Sequence, residues 1–324
     1  MTDISNHSFD FIALGEILID FISSEEVDSL AQADSYNRFV GGQPTNLTRN
    51  MALLGNQVAL GACVGDDYFG QYIIDQLTQL NIEPRFIQKS NLAHTTIVPV
   101  TRTRGGTPKF MIYRGADSLF QAEPALLEAV SKTRIIHTSA FAISRDPARS
   151  TICEALKIAK DNDAWVSLDP NYHPAIWPDV TDFVSHLKNA FQYVDITKPS
   201  LDDCERIFAP GLEPLEYARK FINWGAKFVI LTMGDSGVLL TTASGDVYNI
   251  IPNPISVSDV TGAGDAYWAG FLTAILEGKS PLEAAKLGQA LAEVKIETVG
   301  PLTIPPDRNF LEEKAQMVRY QKIS

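Results

Sequence analysis

Segments that read as buried strands alternate with helical ones along nearly all of this 324-residue chain. Strand-like apolar runs recur at Phe9–Leu14, Gln57–Val64, Ile82–Gln88, Arg134–His137, Ala164–Leu168, Tyr193–Thr197 and Phe228–Thr232. Helical spacing of apolar residues marks Asn46–Leu54, Tyr68–Leu80, Glu123–Val130, Pro147–Asp161, Pro178–Asn189, Leu201–Ile207 and Leu215–Trp224. It marks Asp265–Glu277, Leu282–Glu293 and Arg308–Tyr320 as well. Such alternation predicts an α/β fold, with a mostly parallel central sheet covered by helices on both faces. A hairpin, Gly237–Thr242 then Val247–Ile251 around Ser244-Gly245, interrupts it late, and an extended segment is expected over Asn249–Ser258. Two further regions stand outside the pattern. Ile17–Ile22 with Ser35–Val40 is β-like, and His94–Thr103 with Pro108–Tyr113 reads as a hairpin around Arg104-Gly105-Gly106-Thr107. Together they form either a small separate sheet or extra edge strands.

A chain of this length supports a large core. Its net charge of −12 argues against nucleic-acid or anionic-membrane partners, which need basic patches. Cys63, Cys153 and Cys204 have neither disulfide-framework nor zinc spacing, and read as buried small side chains in a reducing cytoplasm. Met1–Phe9 is polar, with no signal-peptide core, and no apolar run reaches membrane-spanning length.

The stretch Asp259-Val260-Thr261-Gly262-Ala263-Gly264-Asp265 leads into an apolar helix. Two glycines bring bare N–H groups to a helix start, where orphan donors and the helix dipole hold an anion. A carboxylate at Asp265 is costly beside a phosphate, so a role is expected for it. Accepting the proton of a hydroxyl that attacks the phosphoryl group fits. The competing reading is a glycine turn before an acidic first helical turn. Nearer the N-terminus, Gly41-Gly42-Gln43-Pro44-Thr45-Asn46 precedes another helix. Paired glycines permit close approach to a ligand, and the Asn46 amide suits a sugar hydroxyl.

These two stretches, in this order, resemble the signatures D-T-x-G-A-G-D and G-G-x-P-x-N of the ribokinase-like (PfkB) carbohydrate kinases, with Val260 replacing a frequent Thr. The resemblance implies a three-layer α/β/α sandwich with a small β lid over the sugar site, often also a dimer surface. Residues 1–15, 41–93 and 115–324 would form the main domain, and 16–40 with 94–114 the lid. Gly15-Glu16-Ile17-Leu18-Ile19-Asp20 resembles G-E-x-L-I-D, which places a sugar-binding carboxylate at Asp20. An apolar setting for that carboxylate calls for a partner, and a sugar diol supplies one; a solvent-facing strand end is the alternative.

Arg114, in a string similar to the Y-R-x-x-A-D of fructokinases, is either a substrate contact or a surface arginine. Asp169-Pro170-Asn171 resembles D-P-N-x-R, with His173 in place of the Arg; an Asx turn also accounts for it. Lys198-Pro199-Ser200 through Asp203 resembles K-x-N-x-x-E, with Ser200 and Asp203 replacing Asn and Glu. Ser200 and Asp203 alone read as a capping box. Thr232-Met233-Gly234-Asp235-Ser236-Gly237 resembles T-x-G-x-x-G, which carries nucleotide contacts. The resemblance adds Mg²⁺ held through water near Asp203, and a monovalent cation, K⁺, near Asp259 and Thr261. Gly278-Lys279-Ser280 is no P-loop, because it ends a helix and leads into Pro281.

The expected activity is transfer of the γ-phosphoryl of ATP to a primary hydroxyl of a small sugar, with D-fructose to fructose 6-phosphate as the leading case. Asp265 would act as base, and the N–H groups of Gly262, Ala263 and Gly264 would stabilise the transferring phosphoryl. The alternatives are a 2-keto-3-deoxygluconate kinase, against which Ile112 stands where Tyr is frequent, or a ribo- or nucleoside kinase. A non-catalytic sugar- or nucleotide-binding regulator is the alternative of another class. A cytoplasmic homodimer joined through the lid is expected.

Overall fold

A computed structural model describes residues 9–80, 82–103, 109–298, 300 and 302–323. The first half runs β1 (Phe11–Leu14), β2 (Leu18–Glu26), β3 (Tyr36–Gly41), α1 (Gln43–Leu53), β4 (Val58–Gly65), α2 (Tyr68–Gln79), β5 (Ile87–Ser90), β6 (Ile97–Arg102), α3 (Pro124–Val130), β7 (Ile135–Ser139) and α4 (Ala148–Asp161). It continues as β8 (Trp165–Asp169), α5 (Val180–Phe191), β9 (Ile196–Thr197), α6 (Leu201–Phe208), α7 (Pro214–Asn223), β10 (Phe228–Thr232), β11 (Val238–Thr242), β12 (Val247–Ile251), α8 (Ala263–Leu276), α9 (Pro281–Ile296), α10 (Arg308–Met317) and β13 (Arg319–Lys322).

The main sheet has ten strands in the order β13-β12-β11-β10-β9-β8-β7-β1-β4-β5. From β5 to β10 neighbours are parallel, and β10 to β13 pair antiparallel. Both faces are buried, as the continuous apolar runs require. Along β1 the side chains alternate, with Phe11 and Ala13 in one core and Ile12 and Leu14 in the other. Helices α1, α2, α8, α9 and α10 cover the first face, and α3 to α7 the second. The result is the expected three-layer ribokinase-like sandwich. Helix α8 is buried from Ala266 to Leu276. Gly270 lets it lie against α9, since a Cβ there would fall 2.9 Å from the Gly288 Cα.

The second, smaller sheet has the order β3-β2-β6, antiparallel between β2 and β3 and parallel between β2 and β6. Lys109–Tyr113 pairs back on β6 through backbone bonds such as Met111 N–H to Pro99 O at 3.1 Å. The turn expected at Arg104-Gly105-Gly106-Thr107 lies outside the described residues. Phe110 rests on His173 of the main body, with ring centroids 4.3 Å apart.

Several boundaries move for identifiable reasons. The C-terminal helix stops at Met317, and Arg319–Lys322 instead pairs with the free edge of β12. The extended run ends at Ile251, because Pro252 and Pro254 lack ladder donors. Pro84 opens a short 3-10 turn, so β5 starts at Ile87 and not at Ile82. Helix α1 begins at Gln43, ahead of the expected Asn46, with Pro44 suited to a first turn. Cys63 and Cys204 are buried, whereas Cys153 is half-buried. Among the described residues no helix is long and apolar enough to cross a membrane.

Candidate active site

The carboxyl ends of β1, β8 and β9 face a cavity of about 600 Å³ that the small sheet borders. In an open parallel sheet this edge is where ligands bind. Asp20, Asn46, Asn171, Lys198, Ser200, Thr232, Asp203, Gly262, Gly264 and Asp265 all line it. Val98, Val100, Phe110 and Ile112 supply an apolar wall.

At one end stands Asp20 on β2. Its carboxylate has no hydrogen-bond partner in the described structure, and burial pushes it up to about 7. Gly41 does not line the cavity but makes room for this group, since a Cβ there would lie 2.0 Å from Asp20 Oδ2. Gly42, at φ +104, N-caps α1, and a Cβ there would meet Glu16 O at 2.3 Å. Glu16 accepts the Gln43 N–H at 3.1 Å and the Ser139 hydroxyl at 2.6 Å. Burial pushes Glu16 up to about 8.

At the other end Gly262, at φ +77, N-caps α8 without a side-chain cap. Ala263 donates its N–H to Val260 O at 3.1 Å. That donor is therefore spent, which corrects the expectation that three consecutive amides are free. The N–H groups of Gly262 and Gly264 have no backbone or side-chain acceptor in the described structure. Asp265 follows in the first turn, where burial pushes it up to about 6 against the opposing pull of Lys198. The Asn46 and Gln43 amides also favour its ionised form. The Gln43 contact falls short of hydrogen-bond geometry, leaving Gln43 Nε2 without a full partner.

Between the ends, the Lys198 ammonium lies 2.9 Å from Asp169 Oδ2. Burial would lower its pKa, but Asp169, Asp265 and Asp203 together raise it, so Lys198 stays charged. Asp203 closes a capping box with Ser200 and accepts the Tyr172 N–H at 3.0 Å. Its carboxyl is raised by burial and by Asp169. Asn171 sits at φ 28 and donates its N–H to Asp169 Oδ1 at 3.2 Å, the Asx-type turn foreseen as the alternative.

The remaining candidates stand apart from the cavity lining. Arg114 is no surface residue: its Nε is 2.5 Å from Asp117 Oδ2, and both side chains are buried. Ser144 and the Phe141 carbonyl take further donors. Gly234 opens the turn after β10, and Gly237 is needed because a Cβ would meet Ile250 O at 2.2 Å. Asp259 accepts the Thr261 N–H at 2.9 Å. Lys279 and Ser280 are far from phosphate-loop geometry, since Ser280 caps α9 in a box with Glu283.

Sequence reasoning missed Gln43 and His137. His137 Nε2 lies 2.8 Å from Gln43 Oε1, and Nδ1 lies 2.8 Å from Ser167 Oγ. An amide oxygen only accepts, so Nε2 carries the proton. Burial, then Lys198, lower this imidazole to about 3 and keep it neutral. Its one sequence signal was a histidine ending an otherwise apolar strand.

The pattern defining the pfkB family carbohydrate kinase matches residues 9–308. The chain belongs to the pfkB family of carbohydrate kinases. An ATP-dependent 6-phosphofructokinase of Thermoanaerobacterium thermosaccharolyticum is 34% identical over 300 residues, 92% of this chain and 91% of that one. A 5-dehydro-2-deoxygluconokinase of Clostridium perfringens is 26% identical over 294 residues, 89% of this chain and 87% of that one. The structure of Halothermothrix orenii fructokinase superposes with a TM-score of 0.76 at 34% identity, covering 91% of this chain and 100% of that one. This pfkB protein is accordingly an ATP-using sugar kinase.

Proposed function

We propose that the protein transfers the γ-phosphoryl of ATP to a primary hydroxyl of a small uncharged sugar, D-fructose best, giving fructose 6-phosphate. One observation carries the choice of sugar. The buried cation among the described residues lining the cavity is already engaged, since Lys198 is paired with Asp169 at 2.9 Å, while Arg206 is half-exposed and loosely placed 3.9 Å from Asp202. The sugar end instead presents the Asp20 carboxylate. A phosphorylated or acidic sugar would find no buried cation there and would oppose the ionised form of Asp20, whereas a hydroxyl pair gives Asp20 the donors it lacks. The fructokinase relative supports this reading. The 6-phosphofructokinase and 5-dehydro-2-deoxygluconokinase relatives keep sugar phosphates and sugar acids as the readings to test.

In the reaction the sugar hydroxyl oxygen bonds to the γ-phosphorus, the bond to the bridging β,γ-oxygen breaks, ADP leaves, and the proton passes to Asp265. An acid poised near 6 is ionised at neutral pH and close enough to it to serve as a base. The open amides of Gly262 and Gly264 meet charge developing on the phosphoryl group. Lys198, Ser200 and Thr232 line the nucleotide side. A Mg²⁺ ion carried by the ATP would supply charge neutralisation at the phosphates. No cluster of three metal-type ligands exists among the described residues. Asp169 and Asp203 with intervening water fit such a hydrated ion, which needs few direct protein ligands.

The small sheet acts as a lid that excludes water from the phosphoryl group. Its exposed Tyr36, Phe39, Met111 and Tyr113 give it a surface for a homodimer. Free cysteines and ATP dependence fit a cytoplasmic enzyme. Coupled ADP release with D-fructose, fructose 6-phosphate, ribose and 2-keto-3-deoxygluconate is the test. A higher kcat/KM for any sugar other than fructose refutes the assignment, and sugar-independent ATP binding without turnover shows a regulator instead.

A further inference from the structure

The turn that opens α8 is tied down by a lysine from the end of α9. Lys295 Nζ lies 3.2 Å from the Asp259 carbonyl oxygen and 3.2 Å from that of Thr298. It is 3.5 Å from Asp259 Oδ2, and the lysine side chain is only 4% exposed. The Asp259 carboxylate in turn accepts the Thr261 N–H at 2.9 Å and the Gly300 N–H at 3.0 Å. Its carboxyl is held below the ordinary carboxylate range, since those N–H bonds and Lys295 outweigh burial. The ammonium thus sits among acceptors only, joining the loop before Gly262 to the chain after α9. Gly262 lies directly alongside, its absent Cβ 3.9 Å from Lys295 Cε.

Two carbonyls and a carboxylate around a single positive charge form the donor set of a desolvated monovalent cation. Lysine's ammonium is a compact point charge suited to such a set, and its long stem lets it arrive from α9. Resemblance to the family led to the expectation of K⁺ near Asp259 and Thr261. The residues present do not fit it: the charge is already supplied, and a second cation would face repulsion at about 4 Å, with little water to screen it.

We infer that Lys295 is a built-in replacement for a monovalent cation, a positioning residue that holds the Asp259–Gly264 turn for phosphoryl transfer and makes this chain indifferent to K⁺. Its consequence for rate rests on the kinase reading above, whereas the occupied charge site does not. A lysine that merely braces the fold would leave no cation-shaped need behind when removed, and the test turns on that difference.

The test compares the wild type with Lys295→Met in buffers holding K⁺, NH₄⁺ or choline at equal ionic strength. Melting temperature and ADP release are both read. For the wild type we expect less than about a twofold rate change between K⁺ and choline, and no melting shift, because only general screening changes. In choline, Lys295→Met should lose roughly tenfold or more in kcat, the scale of a displaced reacting loop. K⁺ and NH₄⁺ should restore much of that rate and raise the variant's melting temperature, while choline does neither.

A wild type accelerated several-fold by K⁺ overturns the inference and needs no variant to fold. So does a folded Lys295→Met that responds to K⁺ and NH₄⁺ no more than to choline. If no sugar is phosphorylated, the proposed activity fails, and the two melting series still decide the cation question.

Discussion

Helices α1 and α8 begin alike and end up with opposite chemistry. Each is N-capped by a glycine at positive φ, Gly42 and Gly262, and neither has a side-chain cap. At α1 the Glu16 carboxyl fills the space in front and takes the Gln43 N–H, while Pro44 has none to offer. At α8 only the Ala263 N–H is used, and the Gly262 and Gly264 donors open onto the cavity. A glycine-started helix therefore keeps donors free for an anion only where the fold leaves nothing in front of it. On the proposed function, the α1 end would support the sugar side through Gly41 and Asp20, and the α8 end would be left for phosphate.

The largest expected effect strikes the open end. Asp265→Asn should reduce kcat by roughly 10²-fold or more, the scale of a lost general base. It should also stabilise the protein. The folded pKa of Asp265, about 6, stands above the ordinary 3.8, so stability tied to its proton is complete below 3.8 and lost as pH rises through 6. The Asn variant should thus gain melting temperature over the wild type between pH 4 and 6 and keep the gain above. In the wild type, kcat should fall as pH drops through about 6. A variant keeping more than half its activity removes Asp265 from the role.

Next comes the sugar side. Asp20→Ala should raise the sugar KM by about tenfold or more, from two lost charge-assisted hydrogen bonds, with ATP affinity nearly unchanged. Calorimetric titration of both ligands checks this, and equal weakening of the two would place Asp20 elsewhere.

The glycines sharpen the comparison itself. Gly262→Ala meets open space, with Lys295 Cε at 3.9 Å, and carries only the backbone strain of about 1–2 kcal/mol. Gly42→Ala adds a collision with Glu16 O at 2.3 Å and should cost more, above about 2 kcal/mol. Denaturant melts of the pair decide, and equal costs would mean the two helix starts are not differently enclosed.

The smallest effect belongs to Asp203. Asp203→Ala should lower stability by about 0.5–2 kcal/mol through the lost capping box. If Asp203 also holds Mg²⁺ through water, the Mg²⁺ giving half-maximal rate should rise while sugar affinity stays. An unchanged Mg²⁺ titration would leave it the cap alone.

The sequence by itself determined the layers, the family and most of the candidate residues that line the cavity. Apolar runs of strand length between helical spacings leave few arrangements besides a parallel sheet buried on both faces, because each strand must be covered twice. Gly262-Ala263-Gly264-Asp265 and Gly41-Gly42 were legible because helix starts and glycines are local features. Only the tertiary structure decided which amides stay open, since that depends on Val260 O and Glu16 lying in front of them. It also buried Arg114 against Asp117, turned Arg319–Lys322 into an edge strand, and set His137 beside Gln43. It brought Lys295, from the end of α9, to the Asp259 carbonyl. Apart from the local Arg114–Asp117 pair and the Ala263–Val260 turn bond, these are contacts between residues far apart in the chain. No local pattern encodes them, because they form only when packed layers bring chain ends and helix ends to one edge of the sheet.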